Sequence, residues 1–534
     1  MELRSELLRT KERADLHYDS SIKGRYSTMY YYISLSPENR ELLNNIDNPN
    51  HETFQAFSTY LHETIHWWQH IGSNFGFILH SSFPSFTTDS INHLKELIKE
   101  NHIEKSLINY ENAYYTKTGL TDIDSLNIII NNFHDLEYAK LFAMDNKNIE
   151  KLINDNRFFL SVGHCYLIMW INSIHSYADN FDKLYNFLPN YNNWYDKFQE
   201  ITYNNMPGFS HDVPMKISPL GIKAIFEGQA VFNQIIYLSV VFKENKIILN
   251  DFIKLGILHG IYLEAFEHFI RILEEDMPVF VEMNLIALFL LVCDLSINPN
   301  NGFPLDIYDY KGFIYKNDPG MRFISICSVI SKDKSYYLNK CKNQNKDTYI
   351  ELSKTISEAI GVICSYESLS IYSEWLKNDS IKELLEEEKI HQYKNINLPF
   401  RLFFAKFLRF QEDKINFPEM LCWPGFHLSS KTKGTMTLFE KHKALFIKDV
   451  NGETKAMIND NQNSNNIYST YNYFYYFTMI YEIILKWISE EGEFNLDFTW
   501  LLSDRNADEH ISKLKQDFKK IFDIDIENIK PCKR

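Results

Sequence analysis

The chain is poor in the residues that interrupt helices, with 18 glycines and 15 prolines among 534 residues. That scarcity excludes collagen-like and proline-rich architectures and favours long helices. The seven cysteines (165, 293, 327, 341, 364, 422 and 532) are scattered, odd in number and never spaced as Cys-x-x-Cys. Neither a disulfide framework nor a thiolate zinc site is expected. Uninterrupted apolar runs reach only the nine residues from Leu285 to Cys293, well short of the roughly 20 that span a bilayer. The first twenty residues contain no apolar stretch of the kind a secretion signal carries. A soluble, cytoplasmic protein without membrane contact is the expectation. Positive charge is in deficit: 55 Lys and Arg face 70 Asp and Glu, for a net charge of −15. A partner that must have its phosphates neutralised, nucleic acid above all, is therefore not expected. Glycine-rich phosphate loops, Gly-x-Ser-x-Gly elbows and paired-carboxylate motifs are missing too.

What is abundant is aromatic: 40 Phe, 33 Tyr and 8 Trp, which bring large apolar bodies to a core and to contact surfaces. With 45% hydrophobic and 23% charged residues, the composition is that of a folded globular protein. At about 150 residues per domain the length suits two to four domains or one large fold with insertions. Apolar positions recur mostly at three- and four-residue spacing, which predicts a mostly α fold. Short strands are expected near Met29 to Ser36, where Tyr and Ile cluster. Helices are expected over 51–71, 218–242, 251–274, 279–295, 348–377, 398–411 and 468–487, with several amphipathic segments between Pro84 and Pro214. The charged run 382–389 reads as a solvated face. Pro299, Gly302 and Pro304 break the pattern, which divides the chain into residues 1–300 and a helical C-terminal region, 301–534.

One short motif carries chemistry: His62-Glu63-Thr64-Ile65-His66. Residues four apart stack on one helix face, so both imidazoles can reach a single metal ion, and Glu63 sits beside them at the angle to touch a water on that metal. The helix context is favourable. Asp47-Asn48-Pro49-Asn50 is a start signal, Gly72 a stop, and Phe57, Leu61, Ile65 and Trp68 form an apolar stripe expected to lie away from the histidines. Of the adjacent Trp67 and Trp68, one is expected in the core and the other could wall a cleft.

A catalytic zinc takes three protein ligands and leaves one position for water. The leading candidate for the third is Glu227, in the segment Gly221-Ile-Lys-Ala-Ile-Phe-Glu-Gly-Gln-Ala230, on a helix expected to open at Ser218-Pro219. Together the His-Glu-x-x-His pentad and this glutamate segment resemble the gluzincin branch of the zincin metallopeptidases, in which the third ligand is a Glu on a second helix. The resemblance covers two helices, about residues 51–80 and 218–242. It implies a zincin-like catalytic unit with the ligands His62, His66 and Glu227, Zn2+ as cofactor, and a helical insertion over about 84–214. Gly221 and Gly228, seven apart, would leave one face of the second helix bare and let it approach the histidine helix. His70 competes for the third place, but at 1.5 Å rise per residue it stands about 12 Å along the helix from His62, too far for one shared ion. His80 is less constrained. Polarising groups for a scissile carbonyl could come from His211, Tyr237, His259 or His268.

The expected function is a zinc-dependent metallopeptidase in which Glu63 takes a proton from the attacking water and passes it to the leaving amine. The substrate would be a protein or peptide, and the C-terminal region would shape the cleft or recognise a regulatory protein partner. Two rivals stay open: a binding or regulatory protein that retains the site as structure, and a metal-dependent hydrolase of non-peptide amides or esters.

Overall fold

The computed structural model describes residues 3–8, 32–44, 49–119, 123–144, 161–210, 213, 215–243, 247–281, 283–394, 396–429, 433–448, 454–458, 462–498 and 507–532. The fold is mostly helical. Strands are two or three residues long: Tyr32–Ser34 pairs in parallel with Phe446–Lys448, which pairs antiparallel with Thr454–Ala456. Glu104–Lys105 runs parallel to Lys530–Pro531.

The histidine helix is His51–Gly72. It begins where Asn50 accepts the Thr53 backbone N–H through Oδ1 at 2.8 Å while Thr53 Oγ1 accepts the Asn50 N–H, two of the unpaired amides of a first turn satisfied reciprocally. Asp47 and Asn48 of the start signal lie outside the described residues. At its other end Gly72 is the last helical residue, and its lack of a side chain serves packing: a Cβ there would fall 2.2 Å from the Phe410 ring. Ser73 then caps the next helix, Asn74–Lys99, by accepting the Gly76 N–H at 3.0 Å. That helix continues through Pro84. The apolar stripe also understates the burial. From Thr53 to Gly72 all but Phe54, His66 and His70 are buried, Trp67 and Trp68 included, because neighbours pack on every side of this helix.

The glutamate helix is Ile222–Val241, one turn later than Ser218 and Pro219 suggest. The Ser218 hydroxyl accepts the Leu220 N–H at 3.0 Å and so closes a local turn ahead of the helix, leaving extended Gly221 as the cap. Every residue from Ala224 to Leu238 is buried. Length and apolarity alone would let this helix cross a membrane, and in the fold 89% of its apolar window is packed inside the protein. It lies antiparallel to the histidine helix: Phe226 meets His70, Gln229 meets Gln69, Gln234 meets Ser58 and Thr59, and Tyr237 meets Phe57. Gly228 does not form this contact, contrary to the sequence expectation. A Cβ at Gly228 would instead meet Phe289 at 3.1 Å and Ala265 at 3.3 Å, on the helices Met283–Ile297 and Ile261–Ile272 that back the glutamate helix.

Two expected helices are each two. Leu249–Lys254 and Ile261–Ile272 are separated by Gly256 and Gly260 at φ +66° and +52°. Lys346–Ala359 and Ser365–Trp375 are separated by Gly361 at φ +70°. Apolar spacing continues across both breaks, but left-handed glycines turn the chain there. The run 382–389 belongs to the helix Asp379–Ile390, and only part of it is solvated: Glu387 pairs with Arg401, and Glu388 with Lys406 and Arg409. The break after residue 297 is a buried loop. Asn298, Asn300 and Asn301 are buried, and Asn74 Nδ2 donates to Pro299 O at 2.7 Å. One hydrophobic cluster includes residues from both sides of it.

Candidate metal centre

His62 and His66, one turn apart, bring their Nε2 atoms to 3.1 Å from each other. Glu227 Oε2 lies 3.2 Å from His66 Nε2 and 3.7 Å from His62 Nε2. A tetrahedral ion that holds ligands at about 2.1 Å spaces them about 3.4 Å apart, and the three separations bracket that value. His62 and Glu227 are 2% and 1% exposed, and His66 is half-buried. A carboxylate so deeply buried beside two imidazoles is stabilised by a positive partner, which a divalent ion supplies. Among the described residues this is the group of three His, Cys, Asp or Glu side chains whose donor atoms fall within 4.8 Å of one another. The donor set, two nitrogens and one oxygen, fits a divalent transition metal such as zinc.

Packing between the two helices orients these donors. Gln69, one turn beyond His66 on the same face, accepts from His66 Nδ1 through Oε1 at 2.9 Å. Its Nε2 donates to Phe226 O and to Gln229 Oε1, each at 2.9 Å. Further along, Gln234 Nε2 donates to Leu8 O at 3.2 Å and to Ser58 and Thr59 hydroxyls at 3.3 Å. Sequence reading passed over Gln69, Gln229 and Gln234. Their signal is visible in retrospect: Glu227, Gln229, Asn233 and Gln234 interrupt the otherwise apolar buried stretch from Ala224 to Leu238, and Gln69 shares the face of His62 and His66.

A cavity of about 240 Å³ opens on His62 and is lined also by Leu8, Val231, Gln234, Gly256, Ile257, His259 and Tyr262. Leu8 belongs to the short N-terminal helix Ser5–Leu8, held on the histidine helix by Thr59 Oγ1 donating to Leu7 O at 2.6 Å and by Arg4 pairing with Glu52 at 2.7 Å. Glu63 is buried next to His62. Of the four candidate polarising residues, His259 lines this cavity. Tyr237 packs on Phe57 in the core, where burial raises its hydroxyl above the usual range. His268 pairs with Arg271, and His211 lies outside the described residues. Tyr262 was not singled out from the sequence. Its ring lies 6.2 Å from that of His62 and 6.0 Å from that of His259, brought there by the glycine turn that splits the expected 251–274 helix.

His70 stands apart from the donor cluster. It packs against Phe226 and His80, and burial lowers it to about 3. His80 is stacked on Phe403 and is lowered further, by burial first and by His70 second. His80 is a core imidazole, and His70 packs beside it at the edge of the core. Compared with protein-family models, curated proteins and solved structures, the chain matches none.

Proposed function

We propose that the chain is a zinc-dependent metallopeptidase that uses His62, His66 and Glu227 to hold the ion and Glu63 as its proton carrier. The observation that carries this reading is the convergence of three donors, one from a helix about 160 residues downstream of the other two, beside a cavity large enough for a substrate side chain. Zinc in that position would supply a Lewis acid for the scissile carbonyl and lower the pKa of a bound water. The chain's own residues do the rest. Glu63 receives the proton of the attacking water on a carboxylate oxygen and delivers it to the departing amine. His259 and Tyr262, which line the same cavity as His62, are the donors proposed for the carbonyl oxygen as charge develops on it. Leu8, Val231 and Ile257 give the cavity its apolar lining. The cavity favours a working site over a purely structural one, since a closed four-ligand site needs no opening.

Metal analysis and turnover test the proposal together. The purified protein is expected to hold about one zinc per chain, lost in the His62→Ala/His66→Ala double variant. Glu63→Gln is expected to keep fold and metal and to lose cleavage of a peptide library by about 1,000-fold or more, since the amide keeps the shape but cannot accept a proton. Zinc that survives loss of both histidines overturns the assignment. Iron in place of zinc would point to oxidative chemistry instead.

A further inference from the structure

We infer that Gln69 is a positioning residue: its amide sets the tautomer of His66 and locks the glutamate helix to the histidine helix. This inference rests on the metal reading of His62, His66 and Glu227. The Phe226 carbonyl can only accept a hydrogen bond. Its partner 2.9 Å away must therefore be the NH2 end of the Gln69 amide. That assignment turns Gln69 Oε1 toward His66 Nδ1 at 2.9 Å. An amide oxygen can only accept, so the proton of a neutral His66 sits on Nδ1. The lone pair is then on Nε2, the atom 3.1 Å from His62 Nε2 and 3.2 Å from Glu227 Oε2. A ligating histidine needs that tautomer, and its ring orientation is held by whatever accepts the other N–H.

The second half of the amide faces the other helix. Phe226 O belongs to the residue just before Glu227, and Gln229 Oε1 to the one two positions after it. One side chain, 3% exposed, thus spans the gap between the two ligand-bearing helices and holds Glu227 in register with His66. Glutamate at this position would keep the acceptor for His66 but would aim a second oxygen at two acceptors. Leucine would satisfy neither helix and would strand buried polar groups on both. Glutamine alone among side chains of this length offers an acceptor to one helix and a two-proton donor to the other.

The test loads the full-length chain with Co2+, whose visible absorption reports ligand geometry, and measures zinc affinity by chelator competition and the melting temperature of the metal-free protein. Gln229→Leu serves as control, because it removes one clamp bond yet leaves both the Phe226 contact and the His66 acceptor. Gln69→Leu is expected to change the cobalt spectrum and weaken zinc by about 10- to 100-fold, whereas Gln229→Leu lowers melting without altering the spectrum. Should Gln69→Leu fail to fold, Gln69→Glu decides: a spectrum close to that of the unsubstituted chain, with lowered melting, supports the positioning role. A Gln69→Leu chain with unchanged spectrum and zinc affinity within twofold overturns the inference while leaving the metal reading in place. So does a Gln69→Glu spectrum as altered as a ligand deletion. An unsubstituted chain that gives no four-coordinate cobalt spectrum overturns the metal reading, and this inference with it.

Discussion

His70 stands four residues beyond His66 and Glu227 about 160, yet the distant residue is the one whose oxygen lies 3.2 Å from His66 Nε2. The helix rise explains the first half of that contrast, since a third consecutive turn carries an imidazole out of reach of a shared ion. Packing against Phe226 and His80 then gives His70 a different task, at the edge of the core. Removing each residue should separate the two roles. Glu227→Ala is expected to weaken zinc by about 100-fold or more, because a direct ligand outweighs the 10- to 100-fold of an outer partner. His70→Ala is expected to leave zinc affinity within about twofold and to cost about 1–3 kcal/mol of stability through the cavity it opens. Chelator competition and urea unfolding on both variants check the pair, and zinc loss in the His70 variant alone would remove Glu227 from the site.

At the scale of elements, side chains at helix ends decide how helices sit. The helix Asp379–Ile390 ends on His391, in the left-handed region at φ 50°, with its ring Nε2 3.0 Å from Thr470 Oγ1. Burial, aided by the Lys406 ammonium and opposed by Glu388, lowers His391 to about 3. The unfolded chain therefore takes up this proton first, near the ordinary 6.5. The stability His391 contributes is complete above that pH and is lost as pH falls from 6.5 toward 3. His391→Asn keeps a residue that tolerates the left-handed cap and removes the titration. Between pH 6 and 4 its unfolding free energy should fall less steeply than that of the unsubstituted chain, by about 1.4 kcal/mol per pH unit. Urea midpoints across that range check it, and identical slopes would refute it. The expected helices that proved to be pairs belong to this scale as well. Gly256, Gly260 and Gly361 keep their flanks in helical period and turn the chain by positive φ, a property of glycine that apolar spacing does not register.

For the whole molecule, the two site helices are supported by two helices from beyond the middle of the chain, Met283–Ile297 and Leu398–Asn416. Phe289, on Met283–Ile297, backs Gly228 of the glutamate helix. Phe410, on Leu398–Asn416, covers Gly72 of the histidine helix, and Gln411 Nε2 donates to Gly72 O at 2.9 Å. These two supports are tied by Lys414 Nζ and Asp294 Oδ1, 3.1 Å apart and both buried, with Tyr349 Oη donating to Asp294 Oδ2 at 2.6 Å. Lys414→Met strands a buried carboxylate and is expected to cost about 3–5 kcal/mol in urea unfolding. Adding Asp294→Asn should recover part of that loss, since the uncharged pair no longer buries a lone charge. A Lys414→Met chain as stable as its parent would show that the two supports do not depend on the ion pair.

Helical class, the Asn50 start, the Gly72 end and the spacing of His62 and His66 were all legible in the sequence, because each depends on residues within a turn or two of one another. Glu227 could be named only through a likeness to another helix pair. Its meeting with the histidines, the antiparallel register and the Gln69 clamp are decided by packing between helices far apart along the chain. The face that Gly228 presents was misread for the same reason: a bare face shows that something comes close, but not which helix. Local capping and periodicity are properties of neighbouring residues, whereas the donor cluster exists only once Ala224 to Leu238 are buried on all sides. That burial is a condition of the whole core, and the tertiary structure alone decides it.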